Sequence, residues 1–147
     1  MNILDTQVVI TLELSNTSVF PLEFEVWLDN TKFFDGPITQ QPQSISYNFE
    51  DNESNHQLKL VLKNKQRGHT KVDAQGSILS DALVNIKNIC IDDIAIDQIV
   101  YDQARYIHNT NNTTDTVHDQ FYGSMGCNGE VVFDFYSPFY MWLLENM

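Results

Sequence analysis

The sequence predicts an all-β fold: an antiparallel β-sandwich, jelly-roll-like, with a short C-terminal helix. Three observations predict it. Apolar residues alternate with polar ones at period two through much of the chain, turn signals recur at roughly 8–12 residue spacing, and helical character is confined to the terminal PFYMWLLENM.

The elements follow in order. In QVVITLEL, Val8, Ile10, Leu12 and Leu14 share one face of a strand. In LEFEVWLD the inward set is Leu22, Phe24, Val26 and Leu28, with Glu23, Glu25 and Trp27 on the other face. Asp29 and Asn30 make a two-residue turn into TKFF, a hairpin. Pro37 and Pro42 bound a loop, after which SISYNF turns Ile45, Tyr47 and Phe49 to one side. The acidic turn EDNESN leads to HQLKLVLKN, with Leu58, Leu60 and Leu62 inward and Lys59 and Lys63 outward. At least four antiparallel strands therefore fill the first half.

The second half is less regular. NKQRGH and DAQG are loop-like, the latter a hairpin turn at Gln75 and Gly76. LVNIKNICI is rich in β-branched residues, and Asp92 and Asp93 mark another hairpin turn inside the sheet-like IDDIAIDQIVYD. ARYIHN is a short strand, NTNNTTD a polar loop, FYGSMGCNGE a glycine-rich one and EVVFDFYS a strand. The closing helix takes Pro138 as its first position and Ser137 as its N-cap. No linker divides the chain, so residues 1–147 are expected to form a single β-sandwich domain.

Composition narrows the function. A chain of 147 residues with 42% hydrophobic and 12% aromatic residues can build a core without staples. Twenty acids against eight Lys plus Arg give a net charge of −12, which argues against nucleic-acid binding because phosphate neutralisation needs clustered cations. Residues 1–31 and 106–147 each carry five acids and no Lys or Arg, whereas 32–105 hold all eight basic residues and ten acids. Two acidic ends thus enclose a nearly balanced centre, a distribution that bound cations or a basic partner would offset. Lys59, Lys63, Lys65, Arg67 and Lys71 form the positive cluster, suited to contact the acidic ends of a second copy or simply to face solvent.

Cys90, in an apolar run, reads as a small core residue, and Cys127 sits between glycines in a turn. Neither belongs to a CxxC or a Cys/His ligand pattern. The first residues lack the basic start and apolar stretch of a signal peptide, and no run approaches the ~18 apolar residues of a membrane span, so synthesis in a reducing cytoplasm and no membrane partner are expected.

The chemistry-bearing groups point to binding more than to reaction. The four histidines lack helical i, i+4 pairing, and no GxSxG, HExxH or phosphate-binding loop is present, so no enzyme is expected. His108 and His118 flank one loop, and an active site there would need both to converge with a carboxylate. Calcium takes 6–8 oxygen ligands, and Asp92, Asp93 and Asp97, with Asp115 and Asp119 in the polar loop 109–119, supply that chemistry. Asp-rich turns also form without metal. Trp27 and Tyr122 are the aromatics available for stacking on a glycan.

The last fifteen positions hold eight aromatics or methionines. Phe139, Tyr140, Trp142, Leu143 and Leu144 would cover all sides of a short helix, so one side docks on the sandwich or on a partner. The ending FYGSMGCNGEVVFDFYSPFYMWLLENM, with NICIDDIAID and YIHN before it, resembles small β-sandwich proteins of marine tailed bacteriophages, cyanophages above all. The first half, through LEFEVWLDNTKFFDG and NHQLKLVLKNK, resembles calcium-dependent xylan-binding carbohydrate-binding modules. These resemblances imply a non-enzymatic virion-associated structural or decoration protein, made in the host bacterial cytoplasm and partnered by virion proteins or copies of itself. The alternative they imply is a calcium-dependent glycan-binding module.

Overall fold

The computed structural model describes residues 7–66, 70–110 and 115–146. Its strands form two main antiparallel sheets and a small hairpin. The first sheet joins β1 (Gln7–Asn16), β4 (Gln43–Glu50), β8 (Val84–Ile91), β9 (Ile94–Ala95) and β12 (Ser124–Met125) in the order β12-β8-β1-β4, with β9 on β8. The second joins β2 (Leu22–Leu28), β3 (Thr31–Ile38), β5 (Asn55–Leu62), β10 (Arg105–His108), β11 (Val117–Gln120) and β13 (Gly129–Tyr136) in the order β11-β10-β13-β5-β2-β3. The hairpin pairs β6 (Thr70–Val72) with β7 (Ile78–Asp81). This is the antiparallel sandwich that the alternation predicts.

The core lies where the inner faces meet. Val8, Ile10, Leu12 and Leu14 of β1 and Leu58, Leu60 and Leu62 of β5 are all buried, as the period-two pattern requires. Phe33 of β3 stacks on Tyr47 of β4 at 4.8 Å, closing one open side of the sandwich.

Three local features depart from the sequence reading. In β8 the inward positions are Val84, Ile86, Ile89 and Ile91, so the phase shifts once. Asn88 is left-handed at φ 54°, the register with β1 slips between Thr11 and Glu13, and the bulge turns Cys90 to the outer face, half-buried. Residues read as sheet-like instead form α1 (Asp97–Gln103), because Ile96 and Val100, four apart, are both buried. Finally, α2 (Phe139–Asn146) starts one residue later than expected. The Pro138 carbonyl accepts from Met141 and Trp142, which makes Pro138 the cap residue, while the Ser137 hydroxyl is bonded to His56.

The turns behave as their residues dictate. Asp92 and Asp93 have φ of 49° and 64°, the positive values that a two-residue β8–β9 hairpin needs at both central positions. Asp73 accepts the amides of Gln75 and Ser77 in the β6–β7 turn, where Gly76 takes φ 86°.

Candidate functional site

The C-terminal helix is anchored by two rings. Phe139 and Trp142 are buried, Trp142 meeting Phe133 edge-on at 5.5 Å and Phe139 meeting Phe135 at 6.0 Å. Leu143 packs partly against the same core. Tyr140, Met141 and Leu144 remain 61%, 43% and 71% exposed. The predicted docking set therefore divides: Phe139, Trp142 and Leu143 belong to the fold, and Tyr140 and Leu144, joined by Met141, form a free apolar face. Tyr136 donates to Glu145 and Gln103 to Asn146 at 3.2 Å, fixing the helix to β13 and α1.

Beneath this helix, Asp29, His56 and Ser137 form a hydrogen-bonded series. The Asp29 carboxylate can only accept, so His56 donates from Nδ1 at 2.8 Å and its Nε2 accepts from the Ser137 hydroxyl at 2.6 Å. The order matches a hydrolase triad. Its surroundings differ: Ser137 and His56 are each only 5% exposed, and the imidazole is wedged between Phe49 and Phe135. The series ties the β2–β3 hairpin to the β13–α2 junction.

On the outer face of the second sheet, strand register lines up Gln120, Arg105, Val132, Lys59, Trp27 and Lys32. The Trp27 indole donates to Glu25 at 2.8 Å, and the ammonium groups of Lys59 and Lys32 stand 5.2 and 5.6 Å from its ring centre. A sugar stacking on Trp27 would have to displace one of them. Tyr122 is 75% exposed in the loop after β11. Four strand spacings of roughly 4.8 Å separate β11 from β2, so the two aromatics do not share a platform.

The basic cluster is engaged within the chain. Lys63 pairs with Glu25 at 2.8 Å and with Asp35 at 3.2 Å, and Lys32 with Asp35 at 2.9 Å. Hydrogen bonds from these lysines hold both carboxyls below their ordinary values and raise the Lys63 ammonium. Lys65, expected among the outward charges, is buried: its ammonium meets Asp81 at 2.6 Å and the Gly126 carbonyl at 2.8 Å. Lys71 lies over the Phe20 ring at 5.9 Å. Arg67 is outside the described residues. The lysine side chains so paired do not offer a free patch to a second copy's acids.

The acids proposed for calcium are dispersed in their duties. Asp97 accepts the amides of Asn88 and Ile89 at 3.0 and 2.7 Å and so supports the β8 bulge. Asp92 accepts the Val9 amide at 2.9 Å, and Asp93 is the exposed second turn residue. Asp119 accepts from His108 Nε2 at 2.6 Å, whose Nδ1 accepts the Thr110 amide. Asp115 is exposed. Among the described residues no three His, Cys, Asp or Glu side chains gather as a metal-ligating group. Asp92, Asp93 and Asp97 therefore serve the turn and the bulge and do not converge as a ligand set. The middle of the other loop, 111–114, lies outside the described residues.

That loop borders a cleft of about 320 Å³. Val61 and Ile107 line it with His108, Asn109, Asn128 and Glu130, so apolar groups stand beside hydrogen-bonding ones. Gly129 allows β13 to approach β10 there, since a Cβ would lie 2.3 Å from the Ile107 carbonyl oxygen. The Tyr106 hydroxyl donates to the Cys127 carbonyl and accepts its amide at 2.8 Å, pinning the glycine-rich loop. Burial raises both the Tyr106 phenol and the Cys127 thiol. Glu130 escapes sequence reasoning because only strand register brings it beside Ile107 and Val61, and Asn128 because its place depends on two hydrogen bonds to the Lys65 backbone, 63 residues away.

No family model matches the chain, and no curated protein is significantly similar to it. Solved structures do share its fold. A selenomethionine form of vCBM60, from work linking two families of calcium-dependent carbohydrate binding modules by circular permutation, has a TM-score of 0.55 at 12% identity, over 86% of this chain and 89% of that one. vCBM60 in complex with galactobiose has a TM-score of 0.51 at 13% identity, over 85% and 96%. The chain is therefore a β-sandwich like that of carbohydrate-binding modules. At these identities the likeness is one of fold.

Proposed function

We propose that this chain is a non-enzymatic, virion-associated decoration or structural protein of a tailed bacteriophage, attached through α2. The observation that carries the reading is the rigidly anchored helix with Tyr140, Met141 and Leu144 exposed on one face. The resemblance of the second half to small phage proteins supplies the setting. In this reading the protein is made in the host cytoplasm and resides on the particle. Replacing Tyr140 by Ser and Leu144 by Glu together removes it from particles while the sandwich stays folded. Full occupancy of the double variant on purified particles contradicts the docking role.

A second reading, glycan binding assisted by calcium, is favoured by the shared fold and by the cleft beside β10 and β13. There Asn109 and Glu130 would orient hydroxyls over Val61 and Ile107, and Asp115 and Asp119 on the adjoining loop are the acids this reading assigns to calcium, Asp119 exchanging its His108 contact for the ion. Galactobiose and xylan oligosaccharides titrated with and without chelator test it. Glu130→Ala abolishes binding if the cleft is the site; unchanged binding places the sugar elsewhere.

A further inference from the structure

Natural sheets protect their edges, because an edge strand presents unpaired N–H and C=O groups to any other strand. Most edges in this fold carry such protection. β3 contains Lys32, Asp35 and Pro37 and lies opposite a register slip at Val26 and Trp27. β11 has only four residues, and β9 and β12 have two each. β4 is different. It runs eight residues, pairs with β1 in unbroken register from Gln43 to Glu50, and contains no Pro, Lys or bulge. Among the described residues no strand pairs with its other side.

Charge singles out the same strand. Residues 36–49 are the longest uncharged run in a chain with 28 charged Asp, Glu, Lys and Arg side chains (20 acidic plus 8 basic), and β4 lies within it except for Glu50. Ser44, Ser46 and Asn48 face solvent, and Ile45 and Tyr47 pack against the core. An antiparallel copy of this strand centred on Ser46 meets itself well. Ser46 faces Ser46, Ser44 faces Asn48 and Ile45 faces Tyr47, while each Glu50 falls opposite Pro42 outside the paired segment. Like-charge opposition, the usual obstacle to self-pairing in so acidic a protein, is absent from the ladder.

We propose that β4 is a strand-pairing interface for a second copy of this chain, joining two four-strand sheet paths across a two-fold axis at Ser46. The contact uses neither α2 nor the cleft, so a dimer can still dock or bind glycan. Because each copy carries −12, association strengthens with salt as the screening length falls from about 10 Å at 0.1 M to about 3 Å at 1 M.

Sedimentation equilibrium of the full chain across concentration and salt tests the pairing, alongside Ser46→Lys, which sets two ammonium groups face to face on an exposed position. The expected result is a wild-type dimer favoured by salt and self-association at least roughly tenfold weaker in Ser46→Lys, with unchanged circular dichroism. Register is read by oxidation. Ser46→Cys cross-links to itself, Ser44→Cys alone does not, and a mixture of Ser44→Cys with Asn48→Cys does, above the background from Cys90 and Cys127. The cross-linking arm stands if Ser46→Lys fails to fold. A wild-type chain that is monomeric at its highest soluble concentration in high salt, a Ser46→Lys variant as dimeric as wild type, or capture of an unrelated extended peptide by a monomer overturns the proposal.

Discussion

Tyr106 shows how much a single hydroxyl can hold. It satisfies both the amide and the carbonyl of Cys127, so Tyr106→Phe leaves two backbone groups short of partners and is expected to cost roughly 1–3 kcal/mol in chemical denaturation. Ser137→Ala, which takes the partner from His56 Nε2, is expected to destabilise by a similar order of about 1–3 kcal/mol. Because that hydroxyl is buried, a fluorophosphonate probe is predicted to leave wild-type Ser137 unlabelled, and labelling would contradict its structural role. The Glu25–Asp35–Lys63 cluster gives a pH signature. Carboxyls held below ordinary values of 4.5 and 3.8 contribute stability above those values, which is lost as pH falls through the lower folded ones; the raised Lys63 contributes below 10.5 and loses its share as pH rises through its folded value. Melting temperature should therefore drop in acid less steeply in Glu25→Gln than in wild type. Sequence pattern exposes Lys63 and Glu25 as outward residues but cannot reveal the buried Lys65, whose neighbours Asp81 and Gly126 are distant in the chain.

At the scale of elements, α2 has one side in the core and one side in solvent. Trp142→Ala empties a site against Phe133, Phe135 and Phe139 and should cost about 3–5 kcal/mol. Leu144→Glu, on the exposed side, should change stability by no more than about 0.5 kcal/mol while removing the protein from particles. Equal destabilisation by both would show that the helix has no free face. Strands β1, β2, β4 and β5 were legible because one wet face and one dry face impose strict alternation. α1 was not, since Ile94 and Ile96 continue a strand-like alternation into residues whose helical spacing spans a single turn. The bulge at Asn88 was hidden for a related reason: an extra residue reverses the inside and outside of everything after it, and Cys90 moved with it.

For the whole molecule, the sandwich itself was readable from pattern, whereas its candidate sites depended on which edges and loops the topology brings together. Trp27 looked open in sequence and is flanked by two lysines, while the cleft at β10 and β13 draws residues from three separated segments. The net charge of −12 likewise changes meaning once Lys32, Lys63 and Lys65 are seen bound to the chain's own acids. Virion association is tested by quantitative mass spectrometry of purified, salt-washed phage particles. Peptides of this chain are expected at a fixed copy number relative to the major capsid or tail protein. Its absence from washed particles, with abundant chain in the infected-cell lysate, would overturn the virion-associated role.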